Sequence, residues 1–200
     1  MTDALAATDA LFFRDLDRAD AERRVVAATA GAEDGELFLE HRESEAISLE
    51  DGRIRSASFD VTRGFGLRSV LGEAAGYAHA AEITDAALAR AAETVRAVAA
   101  GHSGALDVGP RVASAQLYSD LNPLTAMPFA EKTALLSAID AHARARDSRV
   151  VQVMASITGE WQAVQILRAD GTRVECGFLI EQLPATPGHA VYIAWIDPDR

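Results

Sequence analysis

With 200 residues, 49% of them hydrophobic and 24% charged, the chain has the makings of a globular core rather than a disordered segment. A formal net charge of −11, from 30 acidic and 19 basic side chains, opposes phosphate backbones and anionic lipid surfaces, so neither nucleic acid nor membrane is an expected partner. The single cysteine, Cys176, excludes an internal disulfide and a thiolate zinc cluster.

A lone cysteine also fits a reducing compartment. The first residues carry Asp3, Asp9, Asp15, Asp17 and Asp20 among their apolar positions, which breaks any secretory pattern. No apolar run reaches the ~18 residues a membrane-spanning helix needs. The expected setting is cytoplasmic.

In chain order, residues 1–34 read as helical, with Leu11, Phe12, Leu16, Ala19 and Val26 among the positions spaced by three and four in an Ala-rich stretch. From Gly35 the period switches to two. A strand over 36–49 meets the turn Glu50-Asp51-Gly52-Arg53, whose Asp-Gly tolerates the positive φ of a tight reversal, and returns over 54–61. A separate strand, 64–70, turns at Leu71-Gly72-Glu73 and pairs with 75–79. Thr84 caps a helix that carries Leu88, Ala91, Ala92, Val95 and Val98 at helical spacing. Residues 101–127 form a long Gly- and Pro-containing connection. Pro128 opens a third helix to about Arg146, with Leu135, Leu136, Ile139 and His142 on one face. Strands over 149–158, 160–167 and 172–174 follow, with Thr158-Gly159 and Asp170-Gly171 as turns. The order implies an α+β fold: an antiparallel β-meander sheet of about six strands with helices packed on one side. An uncovered sheet edge in such a fold favours self-association.

No chemistry-bearing motif emerges. None of His41, His79, His102, His142 and His189 has another histidine four residues away, so the zinc-protease helix pattern is absent. His41 and the pair Glu43/Glu45 read as a solvated sheet face, and His142 as a surface or boundary residue. His79, at a strand end, is the histidine best placed for a ligand contact. Gly64, Gly66, Gly72 and Gly76 lie in hairpin strands, not between a strand and a helix N-terminus, so they build no phosphate loop; they mark bulges, twist or close backbone approach. Ser103 has no nucleophile elbow, Cys176 has no flanking base, and Asp197/Asp199 belong to a tail.

The ordered set Asp51-Gly52-Arg53-Ile54-Arg55, Gly64-Phe65-Gly66-Leu67-Arg68-Ser69-Val70, Gly72 and Gly76-Tyr77-Ala78-His79-Ala80 resembles the N-terminal domain of the TldD/PmbA metalloprotease family, its TldD branch more closely. Phe12-Phe13, Glu40-His41-Arg42, Tyr118, Asn122-Pro123, the helix 129–145 and the strand pair 150–167 extend the likeness over roughly residues 8–175. The resemblance implies a zinc-dependent intracellular peptidase acting on peptides or unfolded chains in a two-subunit complex, only one subunit of which carries the metal. The family's metal motif, a His-Glu-x-x-x-His helix with a distant cysteine, is not spelled in these residues. No catalytic, cofactor-binding or metal residue is therefore assigned, and zinc belongs to the full-length family. The expected organisation is a TldD/PmbA-like domain over 1–175 and a divergent tail over 176–200, as in a truncated or frame-shifted product. The implied role is an N-terminal fragment, inactive alone, that contributes substrate-channel and subunit contacts beside a family partner. The alternative is a non-catalytic module that holds a peptide or partner along a sheet edge. A stand-alone enzyme finds no support in the residue inventory.

Overall fold

The computed structural model describes residues 9–99, 122–168 and 173–180. The fold is α+β. Its centre is a long hairpin of β1 (Asp34–Glu50) and β2 (Arg53–Leu71), closed by Asp51 at φ 49° and Gly52 at φ 74°. Two successive positive φ values give the primed turn whose twist matches the strands it joins. Strand β3 (Ala74–Ala80) returns along β2 after a turn in which Gly72 has φ 58°. Strands β4 (Met154–Arg168) and β5 (Arg173–Ile180) complete a five-stranded antiparallel sheet in the order β3-β2-β1-β4-β5.

The described residues thus hold five strands rather than about six, because two expected breaks are not breaks. Residues 54–61 and 64–70 form the single strand β2, and the sequence around Thr158-Gly159 runs straight through β4. Gly64 and Gly159 serve close approach rather than reversal. A Cβ on Gly64 would lie 2.7 Å from the Ala80 carbonyl oxygen, and one on Gly159 would lie 2.6 Å from Leu124 Cδ2. β4 starts at Met154 rather than Arg149. The last strand, expected to end at Val174, stays on the β4 ladder to Ile180, opposite Glu160.

Among the described residues the helix expected over 1–34 is interrupted and ends at Ala28. A helical turn over 9–12 gives way to bends, and α1 (Arg18–Ala28) starts afresh behind Asp17, whose carboxylate accepts from Asp20 N at 2.9 Å. Helix α2 (Asp85–Ala99) is capped by Thr84 Oγ1, which accepts from Ala87 N at 3.2 Å. After a 3-10 turn at Pro123–Thr125, α3 spans Phe129–Arg146.

All three helices lie on one side of the sheet. The main core joins Leu37, Leu39, Phe65, Leu67 and Leu167 to Val25 of α1 and to Leu88, Ala92 and Val95 of α2. A smaller core joins Ile47 and Leu49 to Leu136 of α3, with Ala155 and Ile157 against it. The face of α3 is not the expected one. Leu136 is fully buried, but Leu135 and Ile139 are 46% and 44% exposed and His142 is exposed, while Lys132 and Asp140 are buried. Charges on the sheet beneath, and not apolar periodicity, set the rotation of this helix.

At the turn end of the β1–β2 hairpin, Arg144 Nη2 donates to Asp51 at 2.5 Å and its Nε to Asp140 at 3.2 Å, which ties α3 to that turn. Asp51 also accepts from Val153 N at 3.0 Å. That backbone donor, and then Arg144, hold the Asp51 carboxyl below its ordinary value. A depressed folded pKa adds stability above the unfolded value of about 4 and loses it as pH falls through the folded value. Asp51→Asn, which keeps the side chain's tolerance of positive φ, is therefore expected to lower Tm more at pH 7 than at pH 3. An equal gap at both pH values in paired thermal melts would contradict this coupling.

Candidate functional site

Between the two cores the sheet turns polar on its covered face. In β1 the alternation that buries Leu37, Leu39, Ile47 and Leu49 places His41, Glu43 and Glu45 on the same side. His41 is only 8% exposed, and the side chains of Glu43 and Glu45 are 18% and 12% exposed. The expectation of a solvated face for these three residues is corrected here. Burying such groups is tolerated because each has a partner.

His41 Nε2 lies 3.1 Å from Glu43 Oε1, and since a carboxylate only accepts, the ring nitrogen donates. Trp161 presents an edge-on ring to His41, with centroids 5.9 Å apart. The other oxygen of Glu43 accepts from Asn122 Nδ2 at 2.7 Å, and Asn122 Oδ1 caps the 3-10 turn by accepting from Leu124 N at 3.0 Å. One residue pair along, Lys132 Nζ donates to Glu45 Oε1 at 2.6 Å and to the Leu124 carbonyl at 2.7 Å. Leu124 drops its side chain into the notch left by Gly159. This seam holds the 3-10 turn and the start of α3 against β1 and β4 through charge-assisted hydrogen bonds.

The arrangement is a lock, not a reactive centre. Both oxygens of Glu43 are engaged, and Lys132 is held by two acceptors. Among the described residues no three His, Cys, Asp or Glu side chains are grouped to hold a metal ion, and His41 with Glu43 supplies one imidazole and one carboxylate already bonded to each other. This donor set does not fit zinc, and no metal-assisted step is derived through it.

The other singled-out residues do not join the seam. His79 stacks on the exposed Tyr77 of β3, with centroids 5.7 Å apart. Gly64 and Gly66 sit in β2, Gly72 in a turn and Gly76 in β3, so none leads into a helix N-terminus. Cys176 stands opposite Val164 in the β4–β5 ladder. His102, Ser103, His189, Asp197, Asp199 and Tyr118 lie outside the described residues. Sequence reasoning missed Lys132 and the role of Asn122. Strand parity was the available signal for Glu43 and Glu45, because both share the odd positions of Leu39 and Ile47.

The seam also joins two regions known from other proteins. The family described as PmbA/TldA metallopeptidase domain 1 matches residues 35–99, and the PmbA/TldA metallopeptidase central domain matches residues 122–176. A metalloprotease TldD homolog of Haemophilus influenzae is 37% identical over 141 residues, covering 68% of this chain and 29% of that protein. A TldD homolog of Buchnera aphidicola subsp. Schizaphis graminum is 30% identical over 139 residues, again covering 68% and 29%. The chain thus spans less than a third of these relatives' length. Among solved structures, TldE from Thermococcus kodakarensis has a TM-score of 0.57 at 16% identity, covering 79% of this chain and 36% of that one. A protein from Bacteroides thetaiotaomicron described as a modulator of DNA gyrase has a TM-score of 0.62 at 14% identity, covering 80% and 38%. At such identities the structures speak for the fold, and the sequence matches carry the descent. His41, Glu43 and Glu45 fall within the first matched domain, and Asn122, Lys132 and Gly159 within the second, so the seam is the junction of two successive domains: the chain belongs to the PmbA/TldD metallopeptidase family.

Proposed function

We propose that these residues act as the N-terminal portion of a TldD-type zinc metalloprotease, contribute to its substrate channel and subunit contacts, and are inactive alone. The observation that carries this reading is the order of the two matched domains, locked by Glu43–Asn122 and Glu45–Lys132, in a chain without a His-Glu-x-x-x-His sequence. Hydrolysis by a zinc-bound water needs ligands that hold the metal and leave one position open. In this reading those ligands, and the zinc, sit in sequence beyond the matched domains. The substrates are peptides or unfolded chains, the setting is cytoplasmic, and nucleic acid and membrane are not partners. Two features support the last point: the net charge of −11, and the lack, among the described residues, of a helix long and apolar enough to cross a membrane.

The test is direct. The purified 200-residue chain is incubated with zinc, freed of excess metal and assayed for bound zinc and for cleavage of an unstructured peptide. The expected result is neither stoichiometric zinc nor cleavage, alongside capture by a metal-bearing family member. Zinc-dependent cleavage by the chain alone would sink the proposal. The second reading, a binding module without hydrolytic history, draws on the outer edge of β2 from Arg53 to Gly64, along which no strand pairs among the described residues. Zinc peptidase activity in a full-length version containing these residues separates the two, since only the first reading requires it.

A further inference from the structure

The charges that set the rotation of α3 leave an apolar stripe on its outward flank. With Lys132, Leu136 and Asp140 buried, Leu135 and Ile139, one helical turn apart, stay 46% and 44% exposed, and His142 continues their line. From Leu135 to His142 the stripe runs about 10 Å. The sequence also holds a segment suited to it. Ala190-Val191-Tyr192-Ile193-Ala194-Trp195-Ile196 is the longest uninterrupted apolar run in the chain; it lies outside the described residues and beyond both matched domains. Extended, it would carry Val191, Ile193 and Trp195 on one side over about 13 Å, with the Tyr192 hydroxyl and the small Ala190 and Ala194 on the other.

We infer that the segment 190–196 docks within the same chain along α3, with Val191, Ile193 and Trp195 against Leu135 and Ile139 and the Tyr192 hydroxyl toward water. Position and reach agree. β5 ends at Ile180 opposite Glu160, and β4 runs on from there beneath α3, where Ala155 and Ile157 pack against the Leu136 cluster. Extending that register would bring Pro184 opposite Ser156 without an N–H for the ladder, which favours departure from the sheet edge. Residues 181–189 then span up to about 30 Å, against about 17 Å along β4 from Glu160 to Ala155. The exposed Phe59 and Val61 of β2 are the poorer target. Phe59 is level with Glu45 and Gly159, and on this face Lys132 and Leu124 stand over those two residues, between β5 and β2. Docking removes two apolar surfaces from water at once and needs no second chain.

The test uses the 200-residue chain, in which Trp161→Phe leaves Trp195 as the one tryptophan. Its emission is expected to lie to the blue of the denatured chain and to resist acrylamide quenching. Leu135→Glu with Ile139→Glu is expected to move it to the denatured position, whereas Val26→Glu, at an exposed site on α1, leaves it in place. In a Cys176→Ser background that keeps Trp161, Ile139→Cys is combined in turn with Val191→Cys, Ile193→Cys and Trp195→Cys. At least one pair is expected to close an intrachain disulfide, and none to do so when Val26→Cys replaces Ile139→Cys. Circular dichroism checks the fold of each variant, and the disulfide arm stands if the glutamate variant is not folded. Trp195 emission at the denatured position in the parent overturns the inference. A shielded Trp195 that ignores the glutamates, with no intrachain disulfide from Ile139→Cys, places the segment elsewhere and also overturns it. Disulfides only between chains would assign the stripe to a second copy and overturn the intrachain contact, while the zinc and cleavage assay of the proposed function stands apart from all three results.

Discussion

Lys132→Ala is expected to be among the most destabilising single substitutions outside the apolar core, at about 3–5 kcal/mol. Lys132 is 6% exposed and its ammonium is shared by Glu45 and the Leu124 carbonyl. Removing it leaves the Glu45 carboxylate, 12% exposed, beside an apolar cluster without its cation. The loss is larger than that of a surface ion pair, worth about 0–1 kcal/mol, because the surviving charge stays desolvated. The double variant Lys132→Met with Glu45→Leu removes both charges and keeps similar volumes, and is expected to recover most of the loss. Urea titrations of wild type, Lys132→Met, Glu45→Leu and the double variant complete the cycle, with Lys132→Ala measured beside them. If Lys132→Ala costs no more than Arg55→Ala at the exposed Glu50 pair, the seam is not what holds α3 down.

Much of the architecture was legible in local chemistry. Asp51-Gly52 named its own turn because few dipeptides accept two positive φ values, and Thr84 named a helix start because its hydroxyl satisfies a backbone donor that the helix cannot. The helical stripe of Leu88, Ala91, Ala92 and Val95 is buried as its spacing implies. Glycine was harder to read, since one residue serves both reversal and close packing. Gly52 turns the chain, whereas Gly64 and Gly159 lie in continuous strands and admit an Ala80 carbonyl and a Leu124 methyl that are distant in sequence. The site was harder still. The polar character of Glu43 and Glu45 argued for solvent and their parity argued for the core. What decided between the two was the pair of partners Asn122 and Lys132, which stand 79 and 87 residues away. The same long-range pairing turned α3 away from its most apolar face, which no helical period encodes.

Because a charged seam separates the two apolar clusters, truncating each is expected to have a different reach. Leu39→Ala, at a fully buried position among α1, α2 and the sheet, should cost about 2–5 kcal/mol and lower the stability of the whole domain. Leu136→Ala removes the one fully buried leucine of α3 from a cluster of three buried residues, a loss of similar chemistry on a much smaller platform. Its cost should fall mainly on the opening of α3 and the adjoining half of β4, since α1 and α2 do not rest on that cluster. Native-state hydrogen exchange separates the cases. Leu136→Ala should accelerate exchange over residues 129–146 and 154–159 while Leu88 to Val95 keep their protection, whereas Leu39→Ala should accelerate both. Equal loss of protection throughout in Leu136→Ala would mean that His41–Glu43–Asn122 and Glu45–Lys132 transmit packing between the layers as rigidly as an apolar core, and that the two matched domains unfold as one unit. Loss confined to α3 would instead mark this helix as the layer that can lift from the sheet while the β1–β2 hairpin stays folded.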